Sequence, residues 1–455
     1  MPPPAALDHQ PESSRERRHD VSLRSSPDPQ GGAALGLASA AGLEGFARAW
    51  AQENQWKPEA GASLKLLRWK RFIPSEDEAF MRLVDAFTKA TGVPVSVTSE
   101  SFDDIQPKAS VAANTGQGPD MVWGLYSFPA LFPSKCMEVA DVADYLGKKY
   151  GGWLPAAEAY GKVKGKWIAI PMAFNGGYIN YRISAVNKAG FQKVPEDHAG
   201  FLELCKAMKK NNTPAGFALG HATGDANSWI HWALWSHDAY LVDANEKIVI
   251  NSPETAKALE YVKALYETFV PGTASWNDSS NNKAFLSGDL YLTGNGISVY
   301  AAAKNEKKDI AADMDHAVWP VGKSGKPTEF QLAFPILAYT YTKAPNACKA
   351  FMAFALEAQN YNSWLEASQG YLCHPLQAYA NNPIWTADPK NKVFGEASSR
   401  TLAAGGLAPV SEKVAAVLAD FVVVDMFASY CTGREDLKGA IKTAERQAQR
   451  IFRSA

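Results

Sequence analysis

The sequence predicts an α/β fold containing parallel strands, in a chain large enough for two domains or one bilobed unit. Three observations carry this. Leu64 to Trp69 is a short apolar strand with Leu64 and Leu66 on one face, ending in the turn-like Lys70, Arg71, Phe72, Ile73 and Pro74. Phe80, Leu83, Val84 and Phe87 then recur at helical spacing, which predicts an amphipathic helix stopped by Gly92 in the C′ position, and Val93, Val95 and Val97 alternate as a second strand. Strand, helix, strand is the element of a parallel sheet. Finally, 455 residues leave room for two cores of ordinary size.

Later segments extend the pattern. GQGPDMVWG supplies a turn and a short strand, Met121 to Trp123. Residues 163 to 191, VKGKWIAIPMAFNGGYINYRISAVNKAGF, read as a charged turn, an apolar strand, a Gly-rich loop, an aromatic strand and a short helix closed by Ala189 and Gly190. Ser252 and Pro253 suit the N-cap and first turn of a helix whose apolar stripe is Ala256, Leu259, Val262 and Phe269. Pro345 opens a helix carrying Ala347, Phe351, Phe354 and Ala355, and Leu437, Ile441, Ala444, Ala448 and Ile451 mark a C-terminal one. No internal repeat or low-complexity linker separates two domains.

Composition narrows the function. The apolar share is 46% and the charged share 20%, as in soluble globular proteins. Forty-six basic against 47 acidic residues, with no basic run interleaved with aromatics, argue against nucleic-acid binding. The longest charge-free apolar run, Gly31 to Leu43, is shorter than the roughly 20 residues that span a bilayer. Cys136, Cys205, Cys348, Cys373 and Cys431 have no metal-ligand spacing and read as buried hydrophobes, with a Cys348 to Cys373 disulfide as the alternative.

The first 51 residues read as an export signal and disordered N-terminus. The run after Gly31 is followed by small-residue pairs at 47 to 51 of the kind signal peptidases cut after, so cleavage is expected after Ala51. Arg17 and Arg18 suggest the twin-arginine route, although SLRSSPDPQ separates them from the apolar run.

Catalytic groups are hard to find. His231 and His237 are six apart and cannot align on a helix as metal ligands, and Asp103 and Asp104 diverge as neighbours. There is no GxSxG, HExxH or GxxxxGK[ST] motif, and GlyAsnGly at 294 to 296 is too short for a dinucleotide loop. The reading is no catalytic residue, no cofactor and no metal. Binding has better material: 13 Trp, 17 Tyr and 21 Phe exceed what a core needs. Trp229, Trp232 and Trp235 line one side of a helix. Trp232 and Trp235 suit the core, whereas Trp229, at the helix start beside Asn227 and Ser228, is a candidate ligand contact. Trp276 with Asn277 places an apolar face beside an amide, a pairing that suits a sugar ring.

In order along the chain, several segments resemble the extracellular solute-binding proteins (family 1) of carbohydrate ABC importers. They are ThrGlyVal at 91 to 93, GlyGlnGlyProAsp at 116 to 120, LysGlyLysTrp at 164 to 167 with IleProMet at 170 to 172, and TyrIleAsnTyrArg at 178 to 182 with Ala189, Gly190 and Pro195. IleAsnSerProGlu at 250 to 254 and PheLeuSerGlyAsp at 285 to 289 complete the set. The resemblance implies a type II periplasmic-binding fold, two α/β lobes around a ligand cleft, with an N-lobe of 61–171 plus 319–360 and a C-lobe of 172–318 plus 361–455. It implies a monomeric periplasmic binding component that delivers a sugar, polyol or related solute to an ABC membrane permease. Carried over by position, the cleft takes Lys70, Arg71, Trp123, Tyr126, Asn175 and Tyr178, then Trp229, Trp276, Asn277, Asn295 and Ser298. Ser298 stands where maltose-binding relatives offer a stacking tryptophan, and SerHisAsp at 236 to 238 replaces a glycine, so maltodextrin is not the expected ligand. Two alternatives stay open: an anionic solute such as a phosphorylated polyol drawn by Lys70 and Arg71, and a polysaccharide-active enzyme with two facing carboxylates.

Overall fold

The computed structural model describes residues 40 to 454, so Arg17, Arg18 and most of the expected export signal lie outside the described residues. The strands are β1 Leu64–Trp69, β2 Val95–Glu100, β3 Met121–Trp123, β4 Lys162–Val163, β5 Lys166–Trp167, β6 Ile170–Asn175, β7 Tyr178–Arg182, β8 Leu292–Asn295, β9 Met314–Ala317 and β10 Leu332–Ala338. Two sheets organise two lobes. The N-lobe sheet has the order β2-β1-β3-β10-β6, and the C-lobe sheet β8-β7-β9; β4 and β5 form a separate hairpin.

The β-α-β unit read from the sequence starts the N-lobe. β1 runs parallel to β2, with Leu64 opposite Val95 and Trp69 opposite Glu100, and parallel to β3 on its other side. Helix Pro74–Thr91 connects them and buries Phe80, Leu83, Val84 and Phe87, as its spacing requires. Gly92 ends it at φ 74°, a left-handed turn that glycine takes without steric cost. β10 then enters from far along the chain, antiparallel to both β3 and β6. In the C-lobe β7 is central, flanked antiparallel by β8 and β9.

Sheet membership and helix packing can be compared with the expected lobe limits. β6 stays in the N-lobe sheet through Asn175, and the short Gly176 and Gly177 link leads from it to β7. Helix Ala358–Ala367 packs against helix Pro74–Thr91 of the N-lobe, beyond the expected limit at 360. Trp319, counted with the N-lobe, stacks instead on Trp232 of the C-lobe at 4.6 Å. The crossings are tied together at Gly177, whose N–H donates to Gln331 Oε1 at 2.5 Å and whose carbonyl accepts from Trp319 Nε1 at 2.7 Å. A Cβ there would lie 2.7 Å from Ser228 Oγ.

All five cysteines are buried and free, so Cys348 and Cys373 form no disulfide. Burial in apolar surroundings pushes the Cys136 thiol up to about 12, and Cys205 higher still, which suits inert packing. Residues Glu412–Cys431 have the length and hydropathy of a membrane span. They fold instead as two helices, Glu412–Ala419 and Val422–Cys431, broken at Phe421 with φ 54° and largely buried within the protein.

Residues 40 to 53 form a helix docked on the N-lobe. Ala47 and Trp50 are buried, and the Trp50 ring meets Phe354 edge-on at 5.0 Å. Trp50 Nε1 donates to Glu357 Oε1 at 3.1 Å. That carboxylate is itself buried and also accepts from Tyr145 Oη, Tyr150 Oη and Lys149 Nζ at 2.6, 2.5 and 2.7 Å. A cut after Ala51 would remove this anchor from the chain. Trp50→Ala is expected to cost about 3 kcal/mol, the range for truncating a packed aromatic, read as a lower urea midpoint at unchanged slope.

Candidate functional site

A partly open gap lies between the lobes, lined from both sides. Phe72 and Phe102 come from the loops after β1 and β2, Tyr371 from the chain leaving helix Ala358–Ala367, and Asn175 from the end of β6. Opposite them are Asp225 and Ser228 at the start of helix Asp225–Trp235, Asp278, and Asn295, Gly296 and Ser298 after β8. Strand ends and helix starts converge here because both lobes turn the same ends of their sheets toward the gap.

Closure is held by contacts around the gap. Tyr126 Oη, from the N-lobe, donates to the Gly224 carbonyl of the C-lobe at 3.2 Å, and its ring stacks on Phe330 at 4.6 Å. Ser228 Oγ donates to the Phe330 carbonyl at 2.7 Å.

The polar groups fall into two kinds. Some are committed to one another: Asp225 Oδ2 accepts from Asn281 Nδ2 at 2.8 Å and from Asn295 Nδ2 at 3.3 Å, and Asn282 Nδ2 donates to Ser298 Oγ at 3.2 Å. Others are uncommitted. The Asn175 amide, 6% exposed, has no hydrogen-bond partner among the described residues, and a Cβ on Gly296 would lie 2.5 Å from its Oδ1. Asp278 Oδ1 accepts from the backbone N–H groups of Gly224 and Asp225 at 2.9 and 2.7 Å, while Oδ2, shut from solvent, has none. Burial pushes the Asp278 carboxyl up to about 7 against those hydrogen bonds, and burial followed by the Asp278 charge pushes Asp225 well above the carboxylate range. A free acceptor and a free amide among the residues lining the gap suit a polar solute.

The residues expected from the sequence divide sharply in position. Asn175, Asn295 and Ser298 line the gap. Tyr126 lies beside it, as a latch between lobes. Lys70 is exposed and absent from the lining. Arg71 points into the N-lobe core: its Nε pairs with Glu76 Oε2 at 2.5 Å, and its guanidinium lies 3.9 Å from the Trp69 ring and 4.4 Å from the Trp123 ring. Trp123 is wholly buried in the same cluster. Tyr178 is buried against Phe394, and Trp229 sits in the C-lobe core, donating Nε1 to the Ala218 carbonyl at 2.6 Å and packing on Phe217 and Phe269. Trp276 packs on the 216–220 segment, while Asn277 is exposed and holds Ser279 and Ser280 through Oδ1.

Sequence reasoning passed over Asp225, Asp278, Phe72, Phe102 and Tyr371. Asp278 follows the Trp276 and Asn277 pair directly, and Asp225 opens the tryptophan-rich helix. An acidic residue at a loop end beside each aromatic cluster was the available signal.

The family model of bacterial extracellular solute-binding proteins matches residues 82–393, more than half of the chain. The chain belongs to that family. A curated relative in Deinococcus radiodurans, an ABC transporter-binding protein, is 23% identical over 325 residues, 70% of each chain. YcjN of Escherichia coli K12, an ABC transporter periplasmic-binding protein, is 22% identical over 395 residues, 82% of this chain and 88% of that one. Among solved structures, maltose-bound MalE3 of T. maritima aligns with a TM-score of 0.74 at 17% identity, over 86% of this chain and 100% of that chain. A ribitol-bound solute-binding protein of Agrobacterium radiobacter K84 aligns at 0.71 and 16% identity, over 86% and 99%. These likenesses establish the type II periplasmic-binding fold for this solute-binding protein, as the sequence motifs implied.

Proposed function

We propose that this protein is the exported, monomeric binding component of an ABC importer, holding a sugar- or polyol-like solute between its lobes and passing it intact to a membrane permease. The observation that carries the reading is the gap lined by both lobes, with the Asn175 amide on one side, making no hydrogen bond among the described residues, and Asp278 Oδ2 on the other, without a partner. A solute with several hydroxyls supplies the missing donors and acceptors to both lobes at once, and so couples binding to closure. Family membership and the names of the relatives support the transport role.

Neither alternative fits the site as well. An anion would meet Asp225 and Asp278, while Lys70 is remote and Arg71 is already neutralised by Glu76. A hydrolase needs carboxylates on opposite sides of the scissile bond, whereas these two share the C-lobe wall, with Asp278 Oδ1 bonded to the Asp225 N–H.

A thermal-shift screen of monosaccharides and linear polyols tests the reading. A solute at about 100 times its Kd is expected to stabilise the protein by about 2.7 kcal/mol. A flat response across the panel contradicts it.

A further inference from the structure

Resting on the solute-binding reading, we propose that the solute carries a protonated amine on its polyhydroxylated frame and that Asp278, seconded by Asp225, is the group that selects it. The lining supplies charge of one sign: two carboxylates, and no lysine, arginine or histidine among the described residues. Phe72, Phe102 and Tyr371 add aromatic rings to the lining, and a ring face attracts cations. The geometry at Asp278 is directional. The first N–H groups of helix Asp225–Trp235 and the residue before it hold Oδ1, which fixes the carboxylate and leaves the shielded Oδ2 without a donor. Asn175, across the gap, has its whole amide available for a hydroxyl.

The choice between a neutral polyol and an amine turns on charge. Hydroxyls fill acceptor positions but give the two neighbouring acidic groups no counter-charge, so burial and mutual repulsion keep them protonated. An ammonium supplies up to three donors and converts that repulsion into attraction. The surrounding charges do not offset this. From the N-lobe, Asp103 on the turn after β2 adds negative potential at Asp278, and the Arg71 charge behind Tyr371 is paired with Glu76. Burial holds protons on the acidic pair near neutral pH, so binding a cation must release them. Amine affinity therefore rises with pH through about 7, as the Asp278 carboxyl ionises.

Titration calorimetry with 1-amino-1-deoxysorbitol against sorbitol, and glucosamine against glucose, tests this on the wild-type protein. The amine of at least one pair is expected to bind ten-fold or more tightly than its neutral partner at pH 7.5, and 1-amino-1-deoxysorbitol is expected to weaken several-fold at pH 5.5. Asp278→Asn should erase the preference. The preference and its pH dependence in the wild type stand as a test even where that variant folds poorly. Equal or tighter binding of the neutral partner overturns the amine proposal and leaves the transport reading intact. No binding of any of the four overturns the amine proposal, and only a flat sugar and polyol panel as well would contradict the transport reading.

Discussion

Glu76→Gln is expected to destabilise the protein by about 3–5 kcal/mol, because it leaves the Arg71 charge uncompensated inside the N-lobe. Both side chains are wholly buried. Arg71 is wedged among Trp69, Trp123, Phe334 and Tyr371, and its two Nη atoms have no partner, so the Glu76 carboxylate is its one charged contact among the described residues. Glu76 also accepts from Trp364 Nε1 at 2.7 Å, which couples helix Pro74–Thr91 to helix Ala358–Ala367. Replacing both partners by apolar residues, Arg71→Met with Glu76→Leu, should lose less than the single change, since no charge is then stranded. Urea unfolding of the three variants measures the difference. The same double variant separates this account from an anion-binding site: solute affinity should stay within a few-fold of the parent, whereas a site built on Arg71 would be abolished.

The second large effect divides core from cleft. Trp229→Ala is expected to cost about 3–5 kcal/mol of stability, as for other packed aromatics, and to leave affinity nearly unchanged at temperatures where the variant is folded. Its ring meets Phe217 and Phe269, and the gap does not reach it. Asn175→Ala should do the reverse. An unpartnered buried amide contributes no net stability, so its removal is expected to be neutral to slightly stabilising, while the lost hydrogen bond to solute costs about 1 kcal/mol, roughly five-fold in Kd. Denaturation and calorimetry on the two variants check the crossing pattern. A Trp229→Ala protein that is stable but unable to bind would return that tryptophan to the cleft.

Much of the fold was legible because it is local. The apolar stripe of helix Pro74–Thr91, its terminal Gly92 and the alternating valines after it are short-range patterns, and each appears where expected. The expectations that shifted depend on long-range pairing. β10 joins the N-lobe sheet from more than 150 residues beyond β6, and no local pattern announces that partner. The same limit governs the site. Asn175, Asn295 and Ser298 were reachable because strand ends and the loops after them are marked in sequence. Asp225 and Asp278 are 53 residues apart, and their meaning lies in being adjacent in space. Trp229 misled for a related reason: a tryptophan near a helix start can face either way, and its direction is set by Phe217 and Phe269 from other segments. Arg71 follows β1 where a ligand contact was expected, but the aromatic rings behind the sheet end accommodate its guanidinium and turn it inward.

The central claim is that solute binds between the lobes at the Asn175 and Asp278 walls. A crystal structure grown with the tightest binder from the solute panel tests it most directly. The account predicts a single small molecule enclosed in the gap, with polar atoms within hydrogen-bond distance of the Asn175 amide and Asp278 Oδ2. Solute bound instead in an outer groove, such as the one between Arg434, Glu435 and Gln447, with the gap empty, would contradict it.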